Sequence, residues 1–141
     1  MERLKSLDAV FLAIENPVSP MNVGSVGVFE GPAPSIEDVR TFIDAKASGI
    51  DRCRQRVHEV WGHLARPVWV DDEDFDVSRH VHHVRWTDPS RGSIEEFVEL
   101  VMSWKLDRSR PLWEVWLVEG FADGRWYLVA KIHHAMVDGI A

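Results

Sequence analysis

Near the carboxyl end of the 141-residue sequence two adjacent histidines, His133 and His134, close an apolar run, and Asp138-Gly139 follows. Residues 126–132 have the aromatic and β-branched composition of a strand. Successive strand side chains point to opposite faces, so the two histidines are expected to face apart. One can then look into a cavity while the other packs or hydrogen-bonds to the scaffold. Asp138-Gly139 supplies a turn, its glycine free to take positive φ. A histidine at a strand end beside a tight turn is well placed as a general base. An imidazole with a reference pKa near 6.5 is mostly neutral at pH 7 and can take a proton from an alcohol or thiol.

Other chemistry-bearing groups offer less. No serine or cysteine stands in the motif, so a nucleophilic triad has no support. A zinc site on His133, His134 and Asp138 lacks a convergent third ligand, and no metal is expected. Residues 71–76 hold five acids in six positions, without the spacing of an oxygen-ligand loop, and read as a solvated turn. His80 and His82 share one face of an expected strand and His83 the other, so the three cannot hold one ion; they read as partly exposed strand histidines. Cys53 is the only cysteine, which excludes an internal disulfide.

The elements that must position the histidine pair follow from periodicity. Ser6 can cap a helix whose apolar stripe is Leu7, Val10, Phe11 and Ile14. Residues 21–30 read as a strand in which Gly24 and Gly27 leave room for close approach. Ser35, with Asp38 three residues on, caps a helix that buries Ile36, Val39, Phe42 and Ile43. Residues 50–60 give no clean period. Residues 66–70 and 80–86 read as short strands, with a loop at 87–92. Ser93 and Glu96 form a capping box before a helix built on Ile94, Phe97, Val98, Val101 and Met102. Residues 113–120 and 125–132 then form a hairpin about Asp123-Gly124, apolar on both faces, as befits the middle of a covered sheet. Helices and strands alternate without a strict βαβ period, which makes the class α+β with a mixed sheet and flanking helices.

The segment from His133 to Gly139 reads HHxxxDG, and around it stand further blocks: Leu106-Asp107-Arg108-Ser109-Arg110-Pro111-Leu112-Trp113, then Arg66-Pro67-Val68-Trp69-Val70 with Phe75-Asp76 and His80-Val81, then Leu7-Asp8-Ala9-Val10-Phe11-Leu12 and Met21-Asn22-Val23-Gly24. Together, in order, they resemble the amino-terminal part of the bacterial wax ester synthase/diacylglycerol acyltransferases, within the coenzyme A-dependent acyltransferase superfamily. The resemblance implies the two-layer sandwich of the chloramphenicol acetyltransferase type, one half of a two-domain fold. It implies that residues 1–141 are the domain carrying the histidine motif and that the carboxy-terminal domain is absent from this chain. It implies His134 as general base, with His133 a second proton group or a structural partner. Asp138 would hold the loop through a salt bridge to an arginine, Gly139 would give backbone room, and Pro111, Leu112 and Trp113 would shape the substrate cavity.

The implied reaction needs no cofactor, because acyl-CoA enters as co-substrate. Its long-chain acyl group would pass to diacylglycerol or a fatty alcohol, giving triacylglycerol or wax ester, in the cytoplasm at a membrane or lipid-droplet surface. The alternative is a non-catalytic truncated module that binds lipid, coenzyme A or a partner chain. A half-domain is expected to expose an apolar seam and to pair with a second copy or with its other half. Bulk properties agree with either. A net charge of −7 without a basic cluster argues against nucleic acid. No apolar run approaches the ~18 residues that span a membrane, so a soluble chain with peripheral lipid contact is expected. Seven tryptophans suit heavy core or interface packing.

Overall fold

The structure, a computed structural model, describes residues 1–86 and 92–137. The loop expected at 87–92 therefore lies almost wholly outside the described residues, as do Asp138 and Gly139. In chain order the elements are β1 (Glu2–Arg3), α1 (Ser6–Ile14), β2 (Asn22–Phe29), α2 (Ile36–Ala47), β3 (Gln55–His58), β4 (Val68–Asp71), β5 (Val81–Arg85), α3 (Ile94–Met102), β6 (Trp113–Glu119) and β7 (Trp126–His133). Single 3-10 turns cover Asp51–Arg54, Trp61–His63, Val77–Arg79 and His134–Met136.

The hairpin expected about Asp123-Gly124 forms, and Gly124 takes φ +75° in its turn. Around it the main sheet runs β2-β7-β6-β5, antiparallel except for the parallel β5–β6 pair. A smaller antiparallel sheet runs β1-β4-β3. The α+β class with a mixed sheet holds.

Strand alternation gives the main sheet two buried faces. On one, Trp113, Val115 and Leu117 of β6 join a core with Val39 and Ala47 of α2, Leu12 of α1, and Val57 and Trp69 of the small sheet. On the other, Trp116, Val118, Tyr127 and Val129 pack against Phe97 and Val101 of α3. Residues such as Leu112, Leu117 and Val118 are fully buried, each worth about 1.5–3 kcal/mol in transfer terms. Gly24 lets α3 lie close against β2, because a Cβ there would stand 2.8 Å from Met102 Sδ. Ser35 and Ser93 cap α2 and α3 as expected, accepting from Asp38 N–H and Glu96 N–H. Residues 50–60, unreadable by period, become a 3-10 turn leading into an edge strand.

Four expectations need correction. Lys5 rather than Ser6 is the N-cap of α1, and the Ser6 hydroxyl instead accepts from Arg66. The stripe Leu7, Val10, Ile14 is exposed, and α1 turns Asp8 and Leu12 inward. Phe42 of α2 is exposed too; its ring lies beneath the Lys46 ammonium at 5.5 Å. His80 precedes β5 and is buried, its Nδ1–H donating to the Trp113 carbonyl at 2.8 Å, its ring stacked on Phe75 and Trp113. Burial pushes its pKa below the ordinary histidine value.

Candidate active site

Strand β7 delivers the histidine pair. It is flanked by β2 and β6, so its end cannot fray toward solvent on either side. His133 is its last residue; its N–H donates to Leu112 O at 3.0 Å. His134 opens the 3-10 turn, and its N–H donates to Met21 O at 2.8 Å. The strand alternation that was expected to separate the two rings ends at His133. As a result both rings meet the same helix one turn apart. His134 is half-buried and stacks on Phe11, ring centroids 5.0 Å apart. His133 is fully buried and faces Glu15, the residue after α1.

The tautomer of His133 follows from its contacts. Nδ1 accepts the Ala135 N–H at 3.0 Å, which leaves the ring proton on Nε2. Nε2 lies 3.1 Å from Glu15 Oε2, an electrostatic contact off the line of a full hydrogen bond. Burial pushes the ring's pKa below the ordinary value, against the pull of the Glu15 carboxylate. His133 is therefore neutral at pH 7, and the charge that balances Glu15 is Arg108. Arg108 Nη2 sits 3.2 Å from Glu15 Oε1 and also donates to Leu12 O, with Lys105 Nζ 4.0 Å from the same Oε1. Burial alone would raise the Glu15 pKa. The Met21 N–H bond (3.0 Å), His133 and Arg108 outweigh it and hold the carboxyl below its ordinary value.

One carboxylate thus reaches both the residue that receives the candidate base's N–H and the ring of the histidine before it. Glu15 Oε2 accepts from Met21 N–H, and the Met21 carbonyl accepts from His134 N–H. The same Oε2 faces the ring of His133. A base held this way has little freedom to drift from its position.

A buried cation stands next door. Lys131 of β7 is 1% exposed and donates to Val101 O and Trp104 O at 2.7 and 2.8 Å, closing the carboxyl end of α3. Desolvation lowers its pKa, against the pull of Glu114 and Glu15.

The other expected site residues fall as follows. Pro111, Leu112 and Trp113 are all buried. Leu112 supports His133 through its carbonyl, and Trp113 lines an apolar groove while its Nε1–H donates to Cys53 O at 2.8 Å. His82 and His83 keep separate carboxylate neighbours, Glu114 at 3.8 Å and Glu119 at 3.1 Å. Among the described residues no group of three His, Cys, Asp or Glu side chains is placed to hold a metal ion. Among them also no helix is long and apolar enough to cross a membrane.

Sequence reasoning missed Glu15, Phe11 and Arg108 as members of the site. A signal existed. Asp8, Leu12 and Glu15 recur at i, i+4 and i+7, so two acids share the helical face of a buried leucine.

Comparison with known proteins places this geometry in context. A family model described as the wax ester synthase/diacylglycerol acyltransferase catalytic domain matches residues 4–141. A probable diacylglycerol O-acyltransferase of Mycobacterium tuberculosis, tgs1, is 40% identical across the whole chain, which spans 31% of that protein. A second from the same organism, tgs3, is 42% identical over 98% of the chain, which spans 52% of it. Among solved structures, the wax ester synthase/diacylglycerol acyltransferase of Marinobacter aquaeolei VT8 superposes with a TM-score of 0.73 at 32% identity, over 98% of this chain and 34% of that one. The first condensation domain of a calcium-dependent antibiotic synthetase shares the fold at 14% identity and a TM-score of 0.71, over 94% of this chain and 32% of that one. The chain thus spans about a third to about a half of these relatives' length.

Proposed function

The chain belongs to the wax ester synthase/diacylglycerol acyltransferase catalytic-domain family, and from that premise we propose that it is the histidine-bearing part of an acyl-CoA-dependent O-acyltransferase with His134 as general base. The observation that carries this reading is the fixation of His134. Its peptide is held by Met21, its ring by Phe11, and the strand before it by ladders on both sides.

The His134 ring would take the proton of an acceptor hydroxyl while that oxygen attacks the thioester carbonyl. The tetrahedral intermediate collapses with cleavage of the C–S bond, and the coenzyme A thiolate takes the proton back. The product is an ester, triacylglycerol from diacylglycerol or wax ester from a fatty alcohol. No covalent enzyme intermediate is required, because the thiolate is already a good leaving group. His133, neutral and buried against Glu15, is a positioning residue. Asp138 and Gly139 complete the motif in this proposal, the aspartate as a loop anchor.

The exposed stripe Leu7, Val10 and Ile14 lies on the helix that carries Phe11 and Glu15. It gives lipid, or a further part of the enzyme, an apolar surface beside the base. It is also what a purely binding module would present, so the deciding experiment is turnover. Transfer from palmitoyl-CoA to dioleoylglycerol and hexadecanol is measured for the protein as encoded and for His134→Ala. Activity lost in a variant that melts like the parent supports the reading. A folded parent without activity on either acceptor, or a fully active variant, overturns it.

A further inference from the structure

Helix α1 meets the histidine pair with two side chains of different kind. Glu15, just past its end, directs its carboxylate to His133, 3.1 Å from Nε2, and to Arg108. Phe11, one turn earlier, gives His134 an aromatic face: the two rings are stacked, with centroids 5.0 Å apart and planes at 28°. Both residues are half-buried, so water only partly screens the contact. The helix holds the phenyl ring in place, because the adjacent Leu12 is 3% exposed and its carbonyl accepts from Arg108. The face of a benzene ring carries negative potential, and a cation within about 6 Å of its centroid is attracted to it. A neutral imidazole gains little from that potential, whereas an imidazolium gains more.

We infer that the face of Phe11 stabilises the positive charge that His134 acquires when it takes the acceptor proton, so that Phe11 acts on the rate through the base. The inference rests on the proposed acyl transfer for the reaction in which the charge develops, but not for the stack itself. As the hydroxyl oxygen bonds to the thioester carbonyl carbon, its proton passes to the His134 ring, and a cation and an oxyanion appear together. When the C–S bond breaks, the proton leaves with the thiolate and the ring is neutral again. An attraction confined to that interval lowers the barrier without tightening substrate binding. In a serine triad a carboxylate on the far ring nitrogen stabilises the imidazolium. Here the carboxylate of Glu15 is engaged with His133 and Arg108, and the aromatic face takes that part.

Ring fluorines drain the negative potential of the phenyl face while changing its size little, so they separate charge from shape. Phenylalanines with one, two and three ring fluorines are placed at position 11 of the protein as encoded, and transfer from palmitoyl-CoA to hexadecanol is measured in variants that melt like the parent. With three fluorines kcat is expected to fall about fivefold, in steps along the series, at unchanged KM. Phe11→Leu, which keeps an apolar cover and removes the ring, should lose about as much; if it does not fold, the fluorinated series stands alone. Protonation of the His134 ring is followed separately by NMR, its signal assigned by its loss in His134→Ala. That ring should take up a proton about fivefold less readily with three fluorines than in the parent. In an active parent, kcat that stays flat along the folded series, or KM that rises at constant kcat, would overturn the inference. A parent inactive on both hexadecanol and dioleoylglycerol refutes the transfer reading instead. The protonation series then still decides the role of Phe11, and a flat series sinks it.

Discussion

Replacing Glu15 tests how the candidate base is held. In the parent, Oε2 serves Met21 N–H at 3.0 Å and faces His133 Nε2 at 3.1 Å, while Oε1 serves Arg108 at 3.2 Å. Glutamine has one oxygen for these duties. If it keeps that oxygen toward Met21 and His133, its NH2 meets Arg108 and Lys105. Those side chains are 34% and 40% exposed, and Arg108 retains the Leu12 carbonyl. That arrangement costs about 1–1.5 kcal/mol, one charge-assisted bond discounted for solvent. The reverse arrangement sets NH2 against two buried N–H donors at about 2–3 kcal/mol, so the first wins. Glu15→Gln should lower the melting temperature by about 3–6 °C with transfer nearly intact. Glu15→Ala leaves both donors unpartnered beside a new void and should cost about 3–4 kcal/mol. It also frees the Met21 peptide that holds His134, so kcat should fall on the order of a hundredfold. Circular dichroism melts and acyl-transfer kinetics measure both. Alanine and glutamine variants that behave alike would refute the reasoning, because it depends on the oxygen rather than the charge.

Three further outcomes follow from other buried or exposed groups. Lys131→Met removes the donors that close α3 at Val101 and Trp104; a loss of about 1–3 kcal/mol is expected, with faster amide exchange in the last turn of α3, and unchanged exchange would contradict it. His80 and His133 both have pKa values lowered by burial. The unfolded chain therefore binds protons the fold refuses, so their stabilisation is full above pH 6.5 and is lost as pH falls through the lower folded values. The denaturant midpoint should drop between pH 7.5 and pH 5.5, and a midpoint that stays flat or rises would disprove this. Val10→Asp alters an exposed stripe position, so stability should change by no more than about 0.5 kcal/mol while binding of an apolar dye decreases; undiminished dye binding would show the stripe is not the exposed seam.

Much of the fold was legible because its signals are local. The Asp123-Gly124 hairpin, the Ser35 and Ser93 caps and the paired apolar strands each depend on neighbours a few residues away. The face of α1 was not legible in the same way. Leu7, Val10 and Ile14 have the spacing of a core stripe, and pattern alone assigns acids to solvent. Glu15 is buried only because Arg108, 93 residues later, arrives to balance it. His80 was misjudged for a like reason: its partner carbonyl, Trp113, lies 33 residues away. The histidine pair was found by motif, yet that both rings lie along one helix depends on where β7 ends, and no periodicity encodes that.

The β2–β7 ladder joins residues 22–29 to residues 126–133. At ribosomal rates of 5–20 residues per second, β2 waits on the order of 5–20 s for its partner to be made. Through that interval Val23, Val26, Val28 and Phe29 belong to an unpaired strand, and Glu15 faces neither Arg108 nor His133. The register of the ladder and the setting of the base are then decided together, late, by the same few residues. A chain interrupted before β7 would hold α1, α2 and α3 but neither histidine of the site, and it would carry an open strand edge available to other chains.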